Sequence, residues 1–264
     1  MKNKLISERR LFLTAVMFYT RIPCPSWVGH DLADLNKATR YFPLIGWLVG
    51  GFSFAVFWLS ALILPVSVAV VLSLAAGVWV TGAFHEDGLA DSFDGFGGGW
   101  TKEKILEIMK DSRIGAFGVI ALVLLFLLKF EALSSLLVPA QREGLGIVFL
   151  FFVAYHSLSR LGATNLVFTS VYSREDAQSK AKPIAQSWGR AEVVGAYLTG
   201  LLPLVVLALF FPVMLGVLLP LGALVWAVRR YCIAKLDGYT GDVLGALQQL
   251  GEVVCLLAFL ALWS

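Results

Sequence analysis

The sequence predicts an all-α, polytopic integral membrane protein with about seven transmembrane helices. It reads as one domain over residues 1–264, with a cytoplasmic N-terminus and short interfacial helices beside the spans. Three observations carry this. First, 58% of the 264 residues are apolar and 15% charged, with a mean hydropathy of +0.80. An average soluble domain has about 45–50% apolar and about 25% charged residues. Second, seven stretches approach the roughly 20 apolar residues that a bilayer core demands. Third, the basic residues crowd into alternate connections, as the positive-inside rule requires. A soluble fold of this composition would expose far too much apolar surface. Disorder, a basic nucleic-acid-binding domain and an ordinary cytosolic enzyme are therefore excluded. The net charge of +3 says nothing about partners by its sign alone. Cys24, Cys232 and Cys255 are widely spaced and odd in number, so neither a disulfide framework nor zinc-ligand spacing is present. No internal repeat or low-complexity tract is found.

In chain order, Met1 to Arg10 is basic and no cleavable signal peptide is expected. Leu11 to Tyr19 is too short to span. It reads as an amphipathic or re-entrant helix with Ser7 as its N-cap, ended near Pro23 and Pro25. The spans fall at about 41–64, 66–84, 114–138, 145–168, 193–211, 212–229 and 243–263; the second and sixth are short. Seven such runs read as helices because every backbone group in lipid must be bonded internally. Of 21 basic residues, 18 lie before Tyr41 or in the connections 85–113, 169–192 and 229–242. Among them are Arg21, Arg40, Lys110, Arg113, Arg174, Lys180, Lys182, Arg190, Arg229, Arg230 and Lys235. Opposite them stands Arg142 alone, while Lys129 and Arg160 lie inside spans. The first side is therefore read as cytoplasmic and the C-terminus as outside.

The informative segment runs from His85 to Gly95, where the second span is read to leave the membrane. Asp87, Asp91 and Asp94 are spaced i, i+4, i+7, which puts all three on one helix face. Glu86 points about 100° away from Asp87. A like-charged pair about 4 Å apart costs roughly 1 kcal/mol in water and about 4 near a protein surface. Such a face is expected to hold cations. Hard oxygen donors favour magnesium or manganese, and magnesium binds through a few carboxylates plus substrate phosphates. That points to a phosphate- or diphosphate-bearing substrate, although a solvated acidic loop has the same pattern. After Gly97-Gly98-Gly99, Thr101 reads as the N-cap of an interfacial helix with Ile105, Ile108 and Met109 on one face. Arg113 beyond it is a natural phosphate fork or an anchor at the foot of the third span. Thr240 or Asp242 reads as the cap of the last span. Within the spans lie Lys129 with Glu131, His156 with Arg160, and Glu252, functional candidates by location. Lys129 and Glu131 do not share a face, whereas His156 and Arg160 do.

These motifs together resemble the cobalamin synthase family, the adenosylcobinamide-GDP ribazoletransferases. The resemblance covers nearly the whole chain. Arg21-Ile22-Pro23 and Phe42-Pro43-Leu44-Ile45-Gly46 match its first two elements. Thr81-Gly82, His85, Asp87-Gly88-Leu89-Ala90-Asp91 and Asp94-Gly95 match its acidic signature. Met109-Lys110-Asp111-Ser112-Arg113 with Gly115 and Gly118 follows, and then Thr240-Gly241-Asp242, Leu244-Gly245-Ala246 and Gly251-Glu252. Residues 139–190 match poorly beyond Ser159-Arg160.

The resemblance implies that adenosylcobinamide-GDP and α-ribazole, or its 5′-phosphate, give adenosylcobalamin, or its phosphate, and GMP. It implies magnesium dependence and a bacterial or archaeal cell membrane, the inner membrane where there are two. Metal ions on Asp87, Asp91 and Asp94 would bridge the diphosphate, and Arg113 would neutralise developing charge. Asp94, Asp111, Asp242 and His85 are the candidate bases; Glu86 carries no assigned role. The expected partners are the two substrates and the lipid bilayer, with no nucleic acid; self-association into a homo-oligomer is compatible with the sequence. Two rival readings are an Asp-rich membrane prenyltransferase and a metal transporter. The transporter would want its acids at the bilayer midplane, where Glu252 alone fits.

Overall fold

The computed structural model describes residues 2–29, 32–173 and 188–263, with side chains from Glu8 in the first stretch and Ala33 in the second. Arg174, Lys180 and Lys182 of the expected cytoplasmic set lie outside the described residues. The described residues form eleven α-helices: α1 (Lys2–Tyr19), α2 (Leu32–Ala38), α3 (Phe42–Ala61), α4 (Val66–Thr81), α5 (Phe84–Gly98), α6 (Lys102–Ile108), α7 (Ala116–Ala140), α8 (Leu145–Thr169), α9 (Arg190–Phe210), α10 (Leu218–Leu236) and α11 (Gly241–Trp263). Six of the helical stretches are long and apolar enough to cross a membrane. The number rises to seven when α4 and α5, bent by 89° at a short break, count as one span.

Helix α8 is the centre. It is buried along most of its length and packs on α3, α9 and α11. Phe57 of α3, Leu133 and Leu136 of α7, Phe151 and Phe152 of α8, Leu204 of α9 and Phe259 of α11 form the largest apolar cluster. Small residues let the backbones close up, as they do between membrane helices. A Cβ on Gly46 would stand 2.5 Å from the His156 carbonyl oxygen, and one on Gly50 would stand 2.6 Å from that of Phe152.

Several boundaries differ from the sequence reading. Helix α1 begins at Lys2, so Ser7 lies inside it and does not cap it. The 229–242 connection is mostly helix: α10 runs on to Leu236, and Arg229 donates to the Thr169 carbonyl oxygen at 3.1 Å. A helical turn, Pro212–Val217, precedes α10. The second span stops at Thr81, where Gly82 (φ 69°) and Ala83 (φ 59°) turn the chain through the left-handed region. Glycine takes that conformation freely, and Ala83 takes it at a steric cost. Arg21 packs its side chain onto Gly82, and its N–H donates to the Val80 carbonyl at 2.8 Å. The Arg-Ile-Pro element thus braces the bend that launches α5.

Candidate functional site

Helix α5 lies across the first half of α11 and against the start of α7. The crossing with α11 is close because two glycines meet. A Cβ on Gly88 would be 2.9 Å from the Asp242 carbonyl oxygen, and one on Gly245 would be 3.1 Å from that of His85. Leu89 of α5, Ala121 and Leu125 of α7, and Ala246 and Val253 of α11 fill the joint. Asp242 is thereby brought alongside Gly88, one residue from Asp87 and three from Asp91.

The helix divides its polar residues between two sides. Asp87 is exposed and Asp91 half-buried. His85, Glu86 and Asp94 are buried. Asp94 has a specific partner: its carboxylate accepts the Gly115 N–H at 2.6 Å and the Gly118 N–H at 2.9 Å. Helix α7 has no side-chain cap of its own, so Asp94 supplies one from α5. This revises the expected metal face. The i, i+4, i+7 register holds, but the third carboxylate is turned to the orphan amides of α7. Among the described residues no group of three or more His, Cys, Asp or Glu is arranged to hold a metal ion.

The other expected residues are placed as follows. Arg113 and Asp111 form a bidentate pair, Nε to Oδ1 at 3.0 Å and a terminal nitrogen to Oδ2 at 2.6 Å. The guanidinium is largely exposed. Hydrogen bonds from Arg113 pull the Asp111 carboxyl down to about 2. Thr240, not Asp242, caps α11, accepting the Val243 N–H at 3.3 Å. Asp242 sits in the first turn, where the helix dipole favours its anion, and accepts from Thr240 at 3.3 Å. His85 lies away from the carboxylates, stacked on Phe42 at 5.7 Å and facing a cavity of about 40 Å³ lined also by Tyr19, Thr164 and Gly241. Thr101 caps α6 as expected, accepting the Lys104 N–H at 3.3 Å.

Behind α5 is a group that the sequence did not assemble. Glu252 of α11 accepts from Lys129 of α7 at 2.6 Å, from His156 Nδ1 of α8 at 2.7 Å and from Arg160 of α8 at 3.3 Å. All four are buried. Gln248 also donates to Glu252 and, at 3.3 Å, to Ser159. Gln249 accepts from Lys129 and donates to Glu86 Oε1 at 2.9 Å. The missed residues are Gln248 and Gln249. Their signal was two adjacent amides in an apolar span, four and three residues before Glu252.

These features define a polytopic helical membrane protein with an accessible acidic helix end backed by a buried ionic network. Residues 11–260 match the profile of the cobalamin-5-phosphate synthase family. An adenosylcobinamide-GDP ribazoletransferase of Shewanella frigidimarina is 45% identical over 262 residues, covering 98% of this chain and 97% of that protein. The proteins of the same name from Shewanella sp. strain ANA-3 and Shewanella oneidensis MR-1 are 46% and 45% identical, covering 97% and 96% of this chain and 96% and 94% of theirs. No solved structure matches. The chain belongs to the cobalamin-5-phosphate synthase family.

Proposed function

We propose that this membrane protein joins adenosylcobinamide-GDP to α-ribazole, or to α-ribazole 5′-phosphate, with release of GMP. The observation that carries the reading is the accessible end of α5, where Asp87 is exposed and Asp91 half-buried and the Asp242 backbone packs on Gly88, in a chain matched almost end to end by enzymes of that name.

The donor set suits magnesium: carboxylate oxygens on an accessible face, with no thiol or imidazole among them. Asp87 and Asp91 would hold the ion, and it would supply charge neutralisation to the diphosphate being broken. Asp94 serves from behind by fixing α7 against α5. Arg113, held by Asp111 yet largely exposed, presents its remaining N–H donors to a phosphate oxygen. Of the four candidate bases, Asp94 is committed to its cap, His85 is buried elsewhere and Asp111 has both oxygens engaged by Arg113. Asp242, at a helix N-terminus beside Gly88, takes the proton of the ribazole hydroxyl as it attacks the cobinamide-linked phosphorus.

The distribution of basic residues supports an active site facing the cytoplasm of a bacterial or archaeal cell. A cysteine at exposed Lys104 would then resist an impermeant thiol reagent in intact cells, while one at exposed Arg142 would react. The deciding assay incubates purified protein with labelled adenosylcobinamide-GDP and α-ribazole phosphate, with and without magnesium. Formation of the joined corrinoid and GMP only with the metal is expected. No product in either condition would remove the reading. The transporter alternative loses its one candidate, because Glu252 is already paired with Lys129 and Arg160.

A further inference from the structure

Glu86 is adjacent to Asp87, yet it faces the interior and is buried. Its only hydrogen-bond partner among the described side chains is Gln249, 163 residues away. The direction of that bond is dictated by its neighbours. The Lys129 ammonium can only donate, so the Gln249 oxygen must point to Lys129. The Gln249 amide nitrogen is thereby turned outward, where it donates to Glu86 Oε1 at 2.9 Å and to Gln248 Oε1 at 2.9 Å. Gln248 in turn presents its own nitrogen to Glu252. Lys129 thus donates both to Glu252 and to Gln249, and Gln249 donates on to Glu86, so one continuous run of hydrogen bonds joins the ion pair to the acidic helix.

The second Glu86 oxygen is buried without a protein partner, and Glu86 lines a cavity of about 20 Å³, room for one water. Ser53 Oγ and His156 Nε2, both buried and without a protein partner, belong to residues lining the same cavity. One Glu86 oxygen is thus held by Gln249 of α11, and the other is buried in a residue that lines a cavity shared with α3 and α8.

We propose that Glu86 is a positioning residue: through Gln249 it fixes the rotation and depth of α5, so that Asp87 and Asp91 face the substrate. This rests on the reading of those carboxylates given above. Glu86 touches neither substrate nor metal. Rotating α5 by a fraction of a turn would move the two aspartates by an ångström or more, and a misplacement of that size costs about 10²-fold in rate.

The test compares Glu86→Leu, Glu86→Gln and Gln249→Leu with Asp87→Asn in detergent-purified full-length protein. Glu86→Leu should lower kcat about 10²-fold, while half-saturation by magnesium stays at the wild-type concentration. Glu86→Gln keeps an oxygen for Gln249 and should recover most of that loss. Gln249→Leu should match Glu86→Leu, and the double variant should be no slower than either single one. Amide exchange across residues 84–98 should quicken in both leucine variants and not in Glu86→Gln. Wild-type kcat and exchange in Glu86→Leu would overturn the proposal. So would a glutamine variant as slow as the leucine one, or a magnesium requirement that rises as it does in Asp87→Asn. If Glu86→Leu fails to fold, Glu86→Gln and Gln249→Leu decide the matter by the same criteria. A wild-type protein that joins no substrates would defeat the functional reading, and the exchange rates would still decide whether Glu86 fixes α5.

Discussion

Two neighbouring carboxylates, Glu86 and Asp87, belong to different regions of the molecule. Asp87 stands on an exposed helix face with half-buried Asp91, beside the start of α11. Glu86, turned about 100° from it, enters a buried network in which Lys129, His156 and Arg160 surround Glu252. The exposed region presents carboxylate to the outside of the helix packing, at Asp87 above all. In the buried region the charges are paired with one another, and the cavity beside them, about 20 Å³, is too small for a nucleotide. Negative charge therefore has two uses on one helix: one side is spent on chemistry, and the other holds the helix where the chemistry needs it.

The comparison breaks most visibly at Glu252. Its carboxylate is the common acceptor of three buried basic groups, so Glu252→Ala leaves Lys129 and Arg160 without their counter-charge. Removing one partner of a buried pair costs about 3–5 kcal/mol. Lys129→Met should cost less, because Glu252 keeps His156 and Arg160. Unfolding in detergent, followed by circular dichroism, checks the order. Equal or reversed losses would mean that the network contributes little to stability.

Asp87 should behave in the opposite way. Asp87→Asn removes a ligand charge with little change of volume, and relieves repulsion on the face. Turnover should fall by two or more orders of magnitude, about 3 kcal/mol of transition-state stabilisation. The unfolding midpoint should stay where it is, and added magnesium should restore part of the rate. A variant fully active in chelated buffer would end the metal reading.

The two regions were unequally legible in the sequence. The spans were, because a bilayer imposes about 20 apolar residues per crossing. The divergence of Glu86 from Asp87 was legible too, since a helix fixes 100° per residue. What the divergence meant was hidden. Gln249 and Lys129 lie 163 and 43 residues from Glu86 along the chain, and only tertiary packing brings them together. Asp94 shows the same limit. Its spacing suggests a ligand of the same face, but the amides it caps are 21 and 24 residues downstream, and nothing in Gly115 or Gly118 announces that they need a cap. The basic ends of the spans were legible as charge and not as structure, so Arg229, Arg230 and Lys235 belong to α10 and not to a loop.

Asp94 tests whether capping or metal binding dominates on the hidden side of α5. Asp94→Ala strips two amides of their acceptor, and loss of a cap costs about 1 kcal/mol. The unfolding midpoint should drop by the corresponding few degrees, while half-saturation by magnesium in the assay above stays unchanged. A large rise in the magnesium requirement would return Asp94 to the ligand set.

The smallest effect concerns pH. Arg113 lowers the Asp111 carboxyl to about 2, against an ordinary value of 3.8. The sign follows from linkage: a depressed carboxyl stabilises the folded form above its ordinary value, and that contribution is lost as pH falls through the range from about 4 to about 2. Between pH 4 and 8 the side chain stays anionic and the pair with Arg113 stays closed. Asp111 therefore contributes no titration to the rate over that range. In Asp111→Asn the rate should fall modestly, because Arg113 loses its bidentate anchor, but the acid limb of the pH–rate profile should keep its midpoint. Asp242→Asn should abolish that limb if Asp242 takes the proton. A limb that moves in Asp111→Asn and survives in Asp242→Asn would exchange the roles of the two aspartates.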